Sequence, residues 1–371
     1  MSRAVGSHVP HTISGEKPVP YVVDLFCGIG GLSRGLKDGG FEVVAGYDLD
    51  GTCRYAYEAL NEGATFEEKD ITEVTPEMIL GHYPADVPKV LVGCAPCQPF
   101  SSFTQRRAGE KQTNGREDEW AVLDKFADLI VDSGVEIASM ENVTRLANRA
   151  KYPVFDRFVK RLEAAGHTVT WNLVYGPDYG IPQTRRRLVL FASKYGEVAM
   201  IDPTHERGDP TATVRHRLRE MTPLANGETD PEDPLHTVRN LTAKNLERLR
   251  ASKPGGTWRD WDRGLRVPCH TDQLTTYGSV YGRMAWDEPA PTITTQYFNY
   301  GTGRFGHPEQ DRAISLREGS ILQTFDPEAP LYDPEAPISF ARLGRHIGNA
   351  VPVRLGEVIA DSITAHLSAL S

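Results

Sequence analysis

Two cysteines lie close together in VGCAPCQPFSSF, residues 92–103, directly after the apolar run KVLV. Cys94 and Cys97 have the C-x-x-C spacing of metal and redox sites, but no second pair with zinc-ligand spacing follows, so no metal is predicted. A thioredoxin-type pair normally begins a helix, whereas the prolines around Cys97 indicate a loop. We therefore interpret Cys94 as an inert buried residue and Cys97 as a candidate nucleophile on a stiffened loop.

A glycine-rich turn, DLFCGIGG at residues 24–31, lies between a predicted strand and a predicted helix. Backbone amides and small residues at such a position let an anionic ligand approach closely. Asp48 ends the next predicted strand, about 20 residues on, where a carboxylate accepts hydrogen bonds from ribose hydroxyls. Asp70, after a third segment, is placed to bind an adenine amino group. The set predicts an adenosine-containing ligand and leaves NAD and S-adenosylmethionine both open.

The bulk composition sets the class of protein. The 371 residues suit one large and one small domain, and the net charge of −9 does not by itself suggest a polyanionic partner. However, residues 194–312 hold 16 Lys/Arg against 17 Asp/Glu, while the rest holds 25 against 33, so a nearly neutral, Arg-rich surface is expected in that region. Five irregularly spaced cysteines, no signal-peptide pattern and no apolar run near the roughly 18 residues of a membrane span indicate a reduced, cytoplasmic protein without a membrane partner.

Apolar runs and amphipathic stretches alternate over the first half of the chain. YVVDLF, EVVAGYD, KVLVG and VEIASM read as strands of a parallel sheet, and residues 121–134 and 153–166 as helices that end at glycine. HTVTWNLVY and RLVLFAS predict two further strands, antiparallel to each other. From about residue 194 turns dominate, and regular structure returns from about residue 313.

We therefore predict a flexible tail at residues 1–17 and a catalytic α/β domain formed by residues 18–193 and 313–371. Residues 194–312 are predicted to form an irregular second domain inserted into the first.

Six motifs make the chain recognisable: DLFCGIGG, APCQPFS, ENV, QTRRR, LREGSILQTF and GNAVP. In content and order they resemble the DNA cytosine-5 methyltransferase family of the bacterial or archaeal type. The resemblance implies an S-adenosylmethionine-dependent methyltransferase with a Rossmann-like α/β sheet and an inserted, smaller target-recognition domain. It also implies methyl transfer to carbon 5 of cytosine within a short DNA sequence. Cys94-Ala95 departs from the family's usual Gly-Pro, and Asp48 stands where Glu is commoner.

The resemblance assigns catalytic roles to matching positions. Cys97 matches the nucleophile, whose thiolate adds to C6 of the ring and lets C5 attack the methyl-sulfonium. Glu141, in ENV, matches the carboxyl group that shares a proton with ring N3. Arg187, in QTRRR, matches the arginine that binds cytosine O2, and Arg185 a neighbouring support. The matching cofactor contacts are Phe26, Gly28, Gly30, Gly31, Asp48, Asp70 and Asn349.

Double-stranded DNA is the implied partner. A cytosine stacked in a duplex must be flipped into the pocket before C6 can be attacked. The polar segment 103–120 resembles the family's mobile catalytic loop, and residues 194–312 occupy the place of its recognition domain, with WDEPAPTITT as framework. DNA contacts are expected from Ser101, Gln105, Arg106, Arg107 and Gln183.

Other functions remain open on the sequence alone. An RNA methyltransferase of the family's tRNA-directed branch would carry the same motifs, and a catalytically silent nucleic-acid binder would keep the fold. An NAD enzyme would explain the glycine loop but not Cys97 or the insertion. If the enzyme methylates DNA, a cognate restriction or defence protein is a second expected partner, unless the enzyme acts alone.

Overall fold

The computed structural model describes residues 19–96, 114–267, 278 and 280–370, with backbone alone for 114–119. Within these ranges a seven-stranded sheet has the order β3-β2-β1-β4-β5-β7-β6. Strands β1 to β5 run parallel, and β7 is antiparallel to both of its neighbours, β5 and β6. The strands are β1 Tyr21–Leu25, β2 Glu42–Asp48, β3 Thr65–Glu68, β4 Lys89–Gly93, β5 Ile137–Val143, β6 Thr168–Tyr175 and β7 Arg186–Ser193.

Helices cover both faces of the sheet. Buried side chains of α1, α2 and α10 pack on one face, and those of α3, α4 and α5 pack on the other. Because crossover helices connect parallel strands, the carboxyl ends of β1 to β5 lie along one edge of the sheet. The helices in the described ranges are α1 Gly31–Asp38, α2 Arg54–Leu60, α3 Pro76–Leu80, α4 Asn114–Ser133, α5 Pro153–Ala164, α6 Val214–Leu218, α7 Ala243–Ala251, α8 Leu316–Leu322, α9 Phe340–Asn349 and α10 Val353–Ser368.

The predicted α/β sheet is confirmed, including the antiparallel pair at its end. Two boundaries were wrong. Helix α4 begins at Asn114, so residues 114–120, predicted as part of a mobile loop, have helical backbone. Strand β5 continues through Val143, because the ENV segment pairs with β7 over its whole length. Glu141 therefore lies within a strand, where its neighbours are fixed by strand register.

The region after β7 contains no strand among its described residues and has two kinds of core. Its first and last parts share buried contacts with the sheet-covering helices, through residues such as Val198, Leu235, Ala290 and Phe298. A separate small cluster is made of Leu249, Trp258, Trp261, Tyr300 and Ala313. Trp261 Nε1 donates to Ser252 Oγ at 2.7 Å, and Ser252 Oγ lies 2.8 Å from Tyr300 Oη. We propose that this smaller cluster is the centre of the recognition domain, and that the domain is narrower than residues 194–312.

The segment WDEPAPTITT, residues 286–295, is held by the catalytic part of the chain. Thr184 N donates to Ala290 O and Ala290 N donates to Pro182 O, both at 2.8 Å. A Cβ on Gly348 would lie 2.4 Å from the backbone of Thr294, so α9 and this segment are in close contact. The contacts fit the framework role expected for it.

None of the helices in the described ranges combines the length and apolar character that a bilayer crossing needs. The predicted N-terminal tail lies outside the described residues.

Candidate active site

Strand register brings Glu141 to the end of β4. Gly93, the last residue of β4, pairs with Met140, so Cys94 and Glu141 follow side by side. On the other side, β7 pairs Val189 with Glu141 in the antiparallel ladder. Arg187, two residues before Val189, then has its side chain on the same sheet face, diagonal to Glu141. The sheet thus positions the Glu141 carboxylate on β5 and the Arg187 guanidinium on β7, next to the Cys94 thiol directly after β4.

The Glu141 carboxyl group is enclosed, with 2% of its side chain exposed. Its Oε1 lies 2.8 Å from Arg187 Nε and 3.6 Å from a terminal nitrogen of Arg185. The Arg187 N–H does not point at Oε1, so this contact is an ion pair rather than a directed hydrogen bond. Two guanidinium groups beside one buried carboxylate satisfy the need that a buried charge be paired.

The other carboxylate oxygen meets Cys94. The Cys94 Sγ–H donates to Glu141 Oε2 at 2.9 Å, and Cys94 is half-buried. The expectation that Cys94 is buried is therefore wrong, because the residue is half-buried and its thiol is hydrogen-bonded to Glu141. Nothing in the local sequence could have revealed this, because the contact joins residues 47 positions apart through parallel strand pairing.

Two further cysteines in the described ranges are held as thiols. Cys27 and Cys53 are buried, and burial raises the pKa of each thiol above its ordinary value. Since the thiolate is the nucleophilic form, neither suits attack on a substrate. Cys97, the predicted nucleophile, lies outside the described residues, as do Ser101, Gln105, Arg106 and Arg107. The first described range, residues 19–96, ends one residue before Cys97.

The glycine loop and Asp48 are joined directly. Gly28 N donates to Asp48 Oδ2 at 2.8 Å, and Asp50 N donates to Oδ1 at 2.9 Å. Burial raises the pKa of Asp48 above its usual range, while these two backbone N–H groups lower it. Phe26, at the start of the loop, adopts a positive φ of 62° and packs edge-on against Phe126. The loop conformation is thus set by Asp48 as well as by the glycines.

Gly28 and Gly31 serve different purposes. A Cβ on Gly28, at φ +51°, would meet no atom within 4 Å, so the backbone there faces open space. A Cβ on Gly31 would lie 2.2 Å from Val351 O, so this glycine lets the segment after α9 approach α1. Gly30 lies between them and is covered by Tyr57 and Asn61. Of the three predicted cofactor glycines, Gly28 is the one that has free space beside its backbone for a ligand.

The remaining predicted cofactor residues lie along the same sheet edge. Asp70 follows β3 and caps a short 3₁₀ turn, with Oδ1 accepting from Thr72 N at 2.9 Å and from Thr72 Oγ1 at 2.7 Å. These hydrogen bonds lower the pKa of Asp70, so it is ionised at neutral pH. Leu49, which directly follows Asp48, was not predicted as a site residue. It is 68% exposed.

Helix α9 brings Asn349 back towards the loop after β2. Arg345 donates to Asp50 Oδ2 at 2.7 Å, and His346 Nε2 lies 3.2 Å from the same oxygen and 3.0 Å from Thr52 Oγ1. Asn349, exposed at the end of α9, is three residues after His346 and therefore on the same helix face. This geometry is compatible with the predicted return of Asn349 to the ligand pocket.

Asp24 is a buried acid beneath the glycine loop. Its Oδ2 accepts from Ser33 Oγ at 2.7 Å, whereas Oδ1 is buried without a hydrogen-bond partner. Burial raises the pKa of Asp24 to about 7, the Ser33 hydrogen bond opposes the shift, and the Asp48 charge adds to it. Because the folded pKa lies above the unfolded value, protonated Asp24 favours folding, and this contribution is lost as the pH rises through 7.

We expect the Asp24→Asn variant to become more stable relative to wild type as the pH rises. Asparagine keeps an acceptor for Ser33 and cannot ionise, so the cost of a buried charge above pH 7 disappears. Its unfolding free energy relative to wild type should rise by about 2–3 kcal/mol between pH 5 and pH 8. Denaturant unfolding of both proteins at the two pH values measures this, and any fixed cost of the new amide cancels in the comparison. A pH-independent difference would contradict the raised pKa.

Gln183 is fully buried, with both ends of its side chain bonded to protein. Nε2 donates to Leu322 O and to Gln323 Oε1, each at 2.8 Å, and Oε1 accepts from Ile293 N at 3.2 Å. This corrects the expectation that Gln183 contacts DNA. Its side chain joins the QTRRR loop to α8 and to the framework segment, and so supports Arg185 and Arg187 from behind.

The strand order, with one antiparallel strand inserted next to last, and the acids at successive strand ends define an S-adenosylmethionine-dependent methyltransferase fold. Solved structures agree. A prophage-encoded Escherichia coli protein described as a DNA modification methyltransferase aligns with a TM-score of 0.69 at 18% identity, covering 94% of this chain and 99% of its own. The DNMT2 of Spodoptera frugiperda aligns with a TM-score of 0.59 at 16% identity, covering 93% and 99%.

A family model for C-5 cytosine-specific DNA methylases matches residues 21–365, and the chain belongs to that family. The Type II methylase M.HgiDII of Herpetosiphon aurantiacus is 48% identical over 351 residues, which cover 94% of this chain and 96% of the relative. The Type II methyltransferase M1.HphI of Haemophilus parahaemolyticus is 27% identical over 92% of this chain and 86% of its own. The expected family and type of enzyme are confirmed.

Proposed function

We propose that this protein methylates carbon 5 of cytosine in one short sequence of double-stranded DNA, using S-adenosylmethionine and the residues assigned above. The observation that carries the residue assignment is the enclosed Glu141, paired with Arg187 and Arg185 beside the strand that leads to Cys97. A carboxyl group that lies beside two cations and away from water is suited to bind the hydrogen-bonding edge of a polar heterocycle. The cytoplasm is the proposed location, with a cognate restriction nuclease as partner in a restriction-modification system or a solitary role as the alternative.

In the proposed reaction a target cytosine is flipped out of the helix and bound by Glu141 at N3 and by Arg187 at O2. The Cys97 thiolate adds to C6, and the electron pair of the C5–C6 bond becomes available at C5. Glu141 supplies a proton or hydrogen bond to N3, which prevents negative charge from accumulating on the ring. After methyl transfer the C5 proton passes to a water molecule, the C5–C6 double bond forms again as the Cys97 thiolate is expelled, and N3 returns its proton to Glu141.

The residues at the edge of the sheet fit S-adenosylmethionine, which when bound supplies an electrophilic methyl group. Gly28 leaves the backbone open beside Asp48, whose carboxylate would accept from the ribose hydroxyls. Leu49 and Phe26 would offer apolar surface to the adenine ring, and Asp70 would accept from its amino group. Two carboxylates that accept hydrogen bonds and an apolar surface suit an adenosine group, which supports the assignment.

Two glycine variants should separate cofactor space from packing. Gly28→Ala adds a methyl group where no protein atom lies nearby, so we expect weaker S-adenosylmethionine binding, about tenfold or more, with a modest loss of stability from the positive φ. Gly31→Ala should chiefly lower the melting temperature, because its Cβ would overlap Val351 O. Calorimetric titration and thermal unfolding of both variants measure this. An unchanged affinity in Gly28→Ala would place the cofactor elsewhere.

The function is tested by a base-resolution map of 5-methylcytosine in DNA from cells that express the chain, beside cells that express Cys97→Ala. Methylation confined to one short motif and missing from the variant is the expected result, and it supplies the target sequence. Unmethylated DNA with methylated RNA would instead identify an RNA enzyme, and the same samples serve for both maps. Methylation that persists in the Cys97→Ala cells would overturn the proposed nucleophile.

A further inference from the structure

Cys94 supplies a side chain at a position where the family usually has glycine. Its Sγ donates to Glu141 Oε2 at 2.9 Å, on the oxygen opposite the arginines. The thiol therefore contacts the carboxyl group on which the proposed function depends, and a glycine could make no such contact.

The surrounding backbone fixes the thiol in this place. Cys94 N donates to Leu25 O at 3.3 Å, which continues the β1–β4 ladder by one residue. Asn142 Nδ2 donates to Ala95 O at 3.2 Å, so the residue after Glu141 holds the residue after Cys94. Two adjacent residues of β5 thus bind two adjacent residues of the segment that leads to Cys97. The contact between Cys94 and Glu141 is therefore one of two neighbouring hydrogen bonds that join these segments.

The two oxygens of Glu141 consequently have different partners. Oε1 faces Arg187 and Arg185, which are permanently charged. Oε2 meets a thiol, which is a weak hydrogen-bond donor. A weak donor orients an oxygen and still lets it exchange partners when a substrate arrives, whereas a third cation would hold it in a fixed ion pair.

We propose that Cys94 is a positioning residue for methyl transfer, whose thiol orients the Glu141 carboxyl group so that it meets the ring N3 of the flipped cytosine. The inference rests on the proposed role of Glu141. In this chain the thiol orients Oε2. The usual Gly-Pro pair has no side chain that could do so. Cys94 itself forms no bond to substrate.

The test compares Cys94→Ala with Cys94→Ser in single-turnover methylation at saturating DNA and S-adenosylmethionine. We expect Cys94→Ala to slow methyl transfer about 3- to 30-fold, because a partly buried hydrogen bond to the Glu141 carboxyl group is lost. Cys94→Ser should retain at least about half of the wild-type rate, since its hydroxyl also donates. Affinities for the cofactor and for DNA should change less than about twofold in both variants. Equal losses in the two variants, or a wild-type rate in Cys94→Ala, would overturn the proposal.

A double-mutant cycle with Glu141→Gln separates this inference from the function beneath it. If Cys94 acts through Glu141, Cys94→Ala should cost much less in the Glu141→Gln background than in wild type. If Cys94→Ala costs the same factor in both backgrounds, Cys94 acts by another route and the proposal fails. If Glu141→Gln alone has a normal rate, the proposed role of Glu141 fails first, and the inference about Cys94 fails with it.

Discussion

Cys97→Ala should abolish methylation of DNA and leave the binding of S-adenosylmethionine intact. Alanine removes the nucleophile, and without addition at C6 the C5 carbon of cytosine is too poor a nucleophile to accept the methyl group. We expect a loss of at least about a thousandfold, which approaches the detection limit of a single-turnover assay. The cofactor contacts assigned along β1, β2 and β3 do not include Cys97, so the thermal stabilisation by S-adenosylmethionine should match that of wild type.

Cys53→Ala is a matched control for the loss of a thiol. Cys53 is buried with its pKa raised by burial, so it should be replaceable with a small loss of stability and little effect on the rate. A DNA duplex with 5-fluorocytosine in the mapped target adds a positive test, because the fluorine cannot leave as a proton does and the covalent adduct accumulates. Wild type and Cys53→Ala should form the adduct, and Cys97→Ala should not. Loss of cofactor binding in Cys97→Ala would make the residue structural instead.

Parallel strand pairing explains why much of this site could be predicted from the sequence. Asp48 ends β2 and Asp70 follows β3 by two residues, and parallel pairing places these strand ends along one edge of the sheet. The short apolar run KVLVG was enough to predict β4 with its observed bounds, Lys89–Gly93. The order of the motifs then identified the family, and the matching family model shows that the chain belongs to it.

The contacts across the chain could not be predicted in the same way. That Cys94 lies beside Glu141 depends on the register of β4 against β5, and a shift of one residue would put the thiol next to Met140 instead. Gln183 gave a similar error. Gln183 was expected to contact DNA, but two distant segments, Leu322–Gln323 and the one that contains Ile293, satisfy its side chain inside the protein.

The recognition region was the least predictable, because local sequence signals describe turns and not what turns pack against. Ala290 and Phe298 belong to the same hydrophobic core as the sheet-covering helices. Trp258 and Trp261 belong to the separate small cluster. Arginines lie against the aromatic rings of the second cluster, with Arg248 over Trp261 and Tyr281. Hydrophobic pattern alone does not show which of the two cores a turn-rich segment joins.

Glu141→Gln should reduce methyl transfer by about a hundredfold or more while the protein stays folded. Glutamine has nearly the same shape but cannot share a proton with ring N3, and removing a positioned acid–base group typically costs about 100- to 10,000-fold. It also leaves Arg187 and Arg185 without their shared counter-charge, so we expect a lower melting temperature. Single-turnover rates at saturating DNA and cofactor, with thermal unfolding in parallel, measure the two effects separately.

Asp233→Asn is the control that separates catalysis from stability. Asp233 forms an ion pair with the largely buried Arg317 at 2.6 Å, outside the proposed site, so the variant also leaves an arginine without its partner. We expect Asp233→Asn to lose melting temperature and to keep the wild-type rate per folded molecule, because none of the proposed substrate contacts changes. If Glu141→Gln loses stability and keeps its rate as well, Glu141 serves the fold alone. Another group must then supply the proton at N3, since charge on the ring would otherwise oppose the addition at C6.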